Sequence, residues 1–489
     1  MTAAVRDTRW ACLYVLCAGM LMIVLDVTIV NVALPSIQDE LHFSNAALAW
    51  VVNAYLIAFG GLLLLAGRFG DLIGRRRVFV AGIGLFTLAS LVCGLAQSQA
   101  LLVGARFVQG IGGAMTSAVI LGMIVTMFPE PREQARAIGI YAFVASAGGS
   151  VGLLLGGLIT QAIDWHWIFF VNVPIGIATA FAARRLIDAE KGIGLDRGAD
   201  APGAVLIVAA LMVGVYAIVG PAASHGWGDG STLALGALSV GLLVAFFVRE
   251  SRAAHPLVPL RIFRSRPVVA ANGIQILSVA GMFGMFFLGA LYLRRVLGYD
   301  ALQIGLSFLP VTVAMGTLSI RYSERIVTRF GARNALLAGM PLIMLGLALF
   351  ARAGVHGSYF RDVFPSMVLL GVGAGVAFPA LMNVAMTGAT AEDAGLASGL
   401  VNTTAQVGGA LGLAVLATLA DSRTRALAHG GHETAAALTG GYHLAFWIAA
   451  ALVACALAVT ALALPGNPVA ARAHAEGLGA PRTEGAAGS

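Results

Sequence analysis

Asp26 is the one carboxylate set deep inside an apolar run of this chain, and Arg106 is the one cation so placed. An ionisable group at the centre of an apolar helix costs at least ~2.5–3.5 kcal/mol in lipid. It persists when it is paired, faces water or carries a bound proton. The chemistry open to Asp26 is therefore proton or cation binding, and the alternative is a structural ion pair inside a helix bundle. The run around Asp26 ends near residue 34, and the run around Arg106 begins near residue 100 at the same face. At 1.5 Å per residue the two groups lie ~12 and ~9 Å from that face, so they can pair directly or through another polar group. Arg106, Gln109, Gly110, Gly113 and Ser117 fall three or four apart, one polar and small-residue stripe along a helix. A guanidinium nearby favours an ionised carboxylate, and a dry site favours a neutral one. A carboxyl group held between those influences can load and release a proton as a cavity opens to alternate sides.

Two further clusters stand out. The segment 67–77 reads as a loop joining two apolar runs and holds Gly67, Asp71, Gly74, Arg75 and Arg76. Its glycines permit a tight turn, and Asp71 can meet a helix N-terminus or an arginine. Membrane anchoring explains the arginines alone, whereas a gating latch also explains the Asp and Gly. The second cluster is the glycine series Gly139, Gly148, Gly149, Gly152, Gly156 and Gly157. Glycines four apart let helices approach closely, so the stretch reads as plain packing or as a bending or sliding seam between the two halves of the chain. Gly148-Gly149-Ser150-Val151-Gly152 also fits a serine-hydrolase elbow, but none of the nine His lies deep in a run to act as its base. Polar or aromatic residues inside apolar runs are the candidate lining of a substrate cavity: Asn53, Tyr55, Gln109, Phe143, Asn383, Asn402 and Gln406. Asn402 begins a glycosylation sequon, but inside a run it would not be modified. Cys12, Cys17, Cys93 and Cys455 show no metal-ligand spacing and read as free packing thiols.

The elements that must position these residues follow from composition. Of 489 residues 59% are hydrophobic and only 11% charged, with a mean hydropathy of +0.89. Soluble domains carry about 25% charged residues, so this chain cannot cover a water-facing surface. That excludes a soluble enzyme and a nucleic-acid binder, despite a pI near 9.6. A spanning helix needs roughly 20 apolar residues. Fourteen such runs occur, from 11–33 to 441–464, so the fold class is an all-α membrane protein with fourteen transmembrane helices. The first run is too long for a signal peptide, contains Asp26, and reads as an uncleaved helix.

Cations cluster in alternate connections: 23 lie on the side of the termini and 6 on the other. The positive-inside rule then puts both termini in the cytoplasm. The chain also repeats. Gly139, Gly148, Gly149 and Gly152 recur 260 residues later as Gly399, Gly408, Gly409 and Gly412, and Arg68, Gly74 and Arg76 recur 257 later as Arg325, Gly331 and Arg333. Helices 1–6 thus correspond to helices 9–14, with two helices inserted. The expected organisation is a cytoplasmic N-terminus (1–10), a six-helix bundle (11–183), a linker with two helices (184–266), a second bundle (267–464) and a disordered cytoplasmic tail (465–489). Parallel repeats of this kind place a substrate near the midplane between halves. No Gly-x-x-x-x-Gly-Lys loop is present, so ATP drive is not expected.

These residues together resemble the fourteen-helix drug:proton antiporter branch of the major facilitator superfamily. Leu25-Asp26-Val27-Thr28-Ile29-Val30-Asn31 through Pro35 resembles its helix 1 signature. The 67–77 segment is similar to the superfamily's Gly-x-x-x-Asp-x-x-Gly-Arg-Arg motif, and Arg106 through Gly112 to the helix 4 motif, whose arginine is implicated in proton coupling. Trp165 through Gly176 resembles the opening of helix 6. The resemblance implies two six-helix bundles, proton coupling at Asp26 and Arg106, and export of small amphipathic compounds such as drugs or natural products. It implies no cofactor, no ATP, a plasma-membrane location and a monomer. Three positions depart from the pattern: Leu153 stands where the helix 5 motif has proline, His166 where arginine is usual, and Thr328 at the acidic position of the second-half repeat. The Leu153 change leaves a proton-coupled nutrient importer as an alternative to an exporter. A channel or scaffold, which would show no saturable gradient-driven flux, is the alternative outside transport by carrier.

Overall fold

The computed structural model describes residues 3–188, 192–194, 198–387 and 394–464. The 465–489 tail falls outside the described residues. Fourteen helices among those described are long and apolar enough to span a membrane. In chain order they are α1 (Thr8–Leu41), α2 (Ala46–Ile73), α3 (Arg75–Gly94), α4 (Gln99–Met127), α5 (Arg132–Ala162), α6 (Trp167–Leu186) and α7 (Ala201–His225). They continue as α8 (Gly230–Arg252), α9 (Arg266–Arg295), α10 (Ala301–Arg321), α11 (Ala332–Phe350), α12 (Tyr359–Met386), α13 (Leu396–His429) and α14 (Thr434–Ala463). Side-chain caps start several of them. Ser44 accepts from the Ala47 N–H, Ser98 from the Leu101 N–H, and Asp300 and Gln303 form a reciprocal capping box.

Several helices outrun their apolar runs. α1 continues through Pro35 to Leu41, and α13 reaches His429. Hydropathy marks the lipid-facing length only, and a helix propagates past it into the polar region while its backbone bonds can still form. The largest correction falls on 67–77. It is not a loop: α2 runs to Ile73 and α3 starts at Arg75. Gly74 alone is the joint, at φ 102° and ψ 129°, a conformation that glycine adopts without Cβ strain. Gly331 repeats it in front of α11, at φ 82° and ψ 152°. Beyond each joint an arginine ties down the end of another helix. Arg76 donates to the Arg184 carbonyl at 2.8 Å, and Arg333 to the Ala461 carbonyl at 2.9 Å.

The repeat extends to packing. Gly148 and Gly152 of α5 press on Leu21, Val24 and Thr28 of α1, as Gly408 and Gly412 of α13 press on Ile276 and Ala280 of α9. The halves then meet along two seams. In one, Leu56, Gly60 and Leu64 of α2 face Gly409, Gln406 and Gly399 of α13. In the other, Gly157 of α5 abuts the backbone of Ala301 and Leu302, the Leu153 carbonyl abuts Gly305, and Ser150 donates to Thr312 at 2.9 Å. The α5 glycines therefore divide. Gly148, Gly152 and Gly156 face α1 within their own half, a Cβ at Gly139 would meet nothing within 4 Å, and of these glycines only Gly157 touches the other half. The expected glycine seam between halves is carried instead by Gly157 with Leu153 and Ser150. The inserted α7 leans on Gly61 of α2 through Val208, and its Ile218 carbonyl accepts from Thr418 of α13. α8 packs on α7, with Leu233, Leu238, Val240 and Val244 exposed as a lipid-facing stripe.

The α1–α5 contact has no slack. A Cβ at position 152 would stand 1.9 Å from the Thr28 Oγ1. Gly152→Ala is expected to lower the thermal unfolding midpoint of the detergent-solubilised protein, with an overpacking cost of about 1–3 kcal/mol. Adding Thr28→Ala, which removes the clashing hydroxyl, should recover much of that loss. A double variant no more stable than Gly152→Ala would sink this account of the contact.

Candidate functional site

Asp26 and Arg106 meet. The Arg106 Nη1 donates to Asp26 Oδ2 at 2.5 Å, with Asp26 0% and Arg106 1% exposed. Such a pair is held only when its remaining lone pairs and protons are satisfied, and here Gln109 of α4 and groups of three other helices, α2, α3 and α6, complete the network. Gln109, one turn along α4 from Arg106, accepts from the Arg106 Nη1 at 2.5 Å and donates through Nε2 to Asp26 Oδ1 at 2.7 Å. The same Nε2 donates to Ser90 Oγ on α3 at 2.8 Å. Asn172 of α6 donates to Asp26 Oδ1 at 3.1 Å. The Arg106 Nε donates to the Val51 carbonyl of α2 at 3.0 Å. The Tyr55 and Phe169 rings lie 4.5 and 5.8 Å from the guanidinium carbon, within cation–π range. Five helices of the first half thus converge on one carboxylate.

Local structure explains how each donor arrives. The spacing of three puts Arg106 and Gln109 on one face of α4, while Gly110 brings that face against the Tyr55 backbone and Gly112 against Phe86. α6 is set by its entrance. Trp165, 2% exposed, donates to Glu40 at the end of α1 at 2.7 Å, and His166 lies 3.1 Å from Asp164 and 3.7 Å from Glu40. That anchorage brings Asn172 to Asp26. Sequence reasoning named Asp26, Arg106 and Gln109, but missed Ser90, Asn172 and the Val51 carbonyl as partners. Asn172 was findable as an amide inside an apolar run, whereas a serine in a helix is too common a residue to signal and a backbone carbonyl has no sequence signature.

The second half packs the corresponding place without charge. Gly371 and Gly373 approach Val311 and Ile343 as Gly110 and Gly112 approach Tyr55 and Phe86. That register, 261 residues on, sets Met367 and Leu370 where Arg106 and Gln109 stand, both fully buried. The α1–α9 register, 252 residues on, sets Ser278 where Asp26 stands.

A cavity of about 990 Å3 lies beside the network, between the halves. Its walls are largely apolar, including Ile23, Val27, Phe59, Leu63 and Leu121, with Thr28, Tyr55, Asn402 and Gln406 as polar points. Its arginine-rich end holds Gly67, Arg68, Asp71 and Arg75. At the opposite end the halves are shut by the α5–α10 seam and by Arg295 of α9, which donates to Asp39 at 2.5 Å and to Gln38 at 3.1 Å. Of the expected cavity residues, Tyr55, Asn402 and Gln406 line it. Gln109 is consumed by the ion pair, Asn53 is fully buried, and Phe143 and Asn383 are exposed off the cavity wall. Polarity inside an apolar run marks a non-lipid position but does not distinguish cavity from network or helix surface. The Tyr55 hydroxyl has no partner among the described residues.

At the mouth, Arg75 bridges helices. It meets Asp71 at 3.1 Å, the Gly122 carbonyl at 3.2 Å and Thr126 at 2.9 Å. The linker after α6 adds to this corner, as the Ile193 and Gly194 N–H groups donate to the Asp71 and Leu72 carbonyls.

The network makes a stability prediction. Asn172→Ala leaves Asp26 one donor short and should cost about 1–3 kcal/mol, read as a lower unfolding midpoint. Asn31→Ala should cost less, because its amide bonds only to Val27 of its own helix. Equal losses would show that the Asn172–Asp26 bond carries no special weight.

Residues 16–413 match the Major Facilitator Superfamily. The puromycin resistance protein pur8 of Streptomyces alboniger is 37% identical over 457 residues, 93% of this chain and 90% of that one. The cephamycin export protein CmcT of Amycolatopsis lactamdurans is 38% identical, covering 86% of each chain. Among solved structures, a bacterial homologue of the human lysosomal transporter Spinster, in an inward-facing and unoccupied conformation, is 16% identical and aligns with a TM-score of 0.66 over 93% of this chain and 97% of that one. Fourteen spans, two repeated halves around a cavity and a sequence match of this extent lead to one conclusion: the chain belongs to the Major Facilitator Superfamily and is a membrane transporter, not an enzyme.

Proposed function

We propose that this chain is a proton-driven exporter of small amphipathic compounds, antibiotics or other natural products among them. The carrying observation is the buried hydrogen-bonded network of Asp26 and Arg106, set beside the cavity and replaced by Ser278, Met367 and Leu370 in the other half. The fold packs without a charge at that place, so the charge in the first half serves something other than packing. The relatives' names, puromycin resistance and cephamycin export, support the substrate class. The cavity suits it too: apolar walls hold a compound's body, and Tyr55, Asn402 and Gln406 offer a few oriented polar contacts.

The coupling works as follows. Ionised Asp26 holds Arg106, Gln109 and Asn172 together. A proton on Asp26 cancels the charge that Arg106 balances and removes an acceptor from the network. The guanidinium is then left without its counter-charge in a buried site, which is strongly disfavoured. Tyr55 is its nearest aromatic neighbour and also a wall of the cavity. Protonation is thereby felt by bound substrate, and substrate on Tyr55 is felt by Arg106. The transporter needs no cofactor and no ATP, acts as a monomer, and resides in the plasma membrane with its termini and arginine-rich connections in the cytoplasm.

Asp26→Asn should abolish gradient-driven efflux while the protein still reaches the membrane and binds substrate, because the amide fills the same volume and cannot ionise. Arg106→Ala should also inactivate. Proteoliposomes with an imposed pH gradient supply the measurement, and wild-type rates in Asp26→Asn would end the coupling assignment.

Orientation is tested separately. Cys455 is exposed and the other three cysteines are buried, so Cys455 is first replaced by serine. Single cysteines at Ala254 and Thr328 should react only with reagent on the cytoplasmic side, and those at Gly228 and Glu433 only from outside. Labelling of Ala254→Cys by an impermeant reagent in intact cells would invert the topology.

A further inference from the structure

Away from Asp26, the described residues bury two more carboxylates side by side, at the start of α7 and the end of α8. Asp200 and Glu250 are each 3% exposed. Asp200 caps α7: its Oδ1 accepts from the Gly203 N–H at 3.0 Å and from Arg249 Nε at 2.6 Å. Glu250, in the last turn of α8, accepts through Oε2 from the Val258 N–H at 2.9 Å. That leaves Asp200 Oδ2 and Glu250 Oε1, and neither has a partner among the described residues. Both converge on one place. A Cβ at Gly203 would lie 2.7 Å from the first and 2.9 Å from the second.

Two carboxylates cannot both stay ionised there. Among the described residues Arg249 is the one cation that touches them, so full ionisation leaves a net negative charge buried, which is strongly disfavoured. The surrounding cations do not answer it: Arg68 of α2 donates to the Gly198 carbonyl, the His255 ring lies over Gly198, and Arg252 is exposed. The two carboxylates sit at unlike helix ends. Asp200 sits at the positive N-terminal end of α7 and holds Arg249. Glu250 sits at the negative C-terminal end of α8, which disfavours an anion. One proton on Glu250 Oε1 removes the surplus negative charge beside Gly203.

We propose that Asp200 and Glu250 form a second proton-binding site, holding one shared proton drawn from solvent at the arginine-rich end of the bundle. Its occupancy fastens the inserted helix pair to the mouth of the cavity. Glu250 fixes Val258, whose neighbour Leu257 lines the cavity, and the segment before Asp200 is tied to α2 through Arg68 and Gly198. Loss of the proton sets two like charges around Gly203 and loosens both attachments. The pair therefore makes that mouth responsive to pH independently of Asp26.

The full-length protein in lipid nanodiscs, titrated by infrared spectroscopy, tests the site. Wild type should show a protonated carboxylic-acid carbonyl band that disappears as pH rises. The band should persist in Asp26→Asn and be absent from both Glu250→Gln and Asp200→Asn, so either amide variant suffices if the other fails to fold. The wild-type unfolding midpoint should fall as the band is lost, because a proton bound only in the folded state stabilises it. In Glu250→Gln, whose amide is neutral at every pH, the midpoint should stay level through that range. A band that survives both amide variants would overturn the proposal. So would a midpoint raised by sodium or calcium and lowered by a chelator with no such band, since the occupant would then be a cation. Because the site is read in the Asp26→Asn background, its failure is separable from failure of the coupling assignment.

Discussion

A charged pair with almost no access to water is the constraint around which the first half of this transporter is built. Asp26 and Arg106 contribute little net stability by themselves, since their desolvation offsets most of their attraction. What makes them tolerable is the number of groups that converge on them. Gln109 connects both partners and Ser90, Asn172 brings α6, and the Val51 carbonyl brings α2. Each donor demands a helix at a set height and rotation. The glycines of α4 answer that demand, because only a residue without a Cβ lets α4 approach α2 and α3 closely enough for its arginine to reach a carbonyl on the next helix.

The internal repeat turns this into a controlled comparison. Both halves share the positive-φ glycine joint, the arginine that ties a distant helix end, and the glycine contacts between paired helices. They differ where charge is concerned. Ser278, Met367 and Leu370 occupy the second-half counterpart of the network, and Thr328 stands opposite Asp71. One packing plan thus accepts either a polar or an apolar filling. The plan belongs to the fold, and the charged filling to the first half alone.

The helices were legible because lipid imposes length and apolarity on each one, and all fourteen are present among the described residues. The ion pair was legible for the same reason: charge is scarce in lipid, so two isolated charges at similar depth identify each other. The rest was hidden for physical reasons. Hydropathy cannot tell where a helix stops once it has left the lipid, so the Gly74 joint was read as an eleven-residue loop. Glycine spacing signals that a close contact exists but not with which neighbour, so it does not reveal that Gly148, Gly152 and Gly156 serve α1 and not the other half. Asp200 and Glu250 lie at helix ends, where carboxylates are common, and only the fold brings them over Gly203.

The two ends of the bundle hold the halves together by unlike means, and the difference bears on how the cavity changes sides. The shut end relies on backbone contact at Gly157 and on the ion pair of Arg295 with Asp39. That ion pair is partly exposed, and exposed pairs contribute about 0–1 kcal/mol, so it adds little resistance to separation. The α2–α13 seam carries a cost of its own. Asn53 lies three and seven residues before Leu56 and Gly60, on the face that meets α13, and neither atom of its amide has a partner among the described residues. A buried polar group without a partner costs about 1–3 kcal/mol, and contact with water recovers it. The closed seam is thus held by van der Waals contact but opposed by an unsatisfied amide. Opposed in this way, the closed seam lies nearer in free energy to a separated one than its tight glycine contacts alone would suggest.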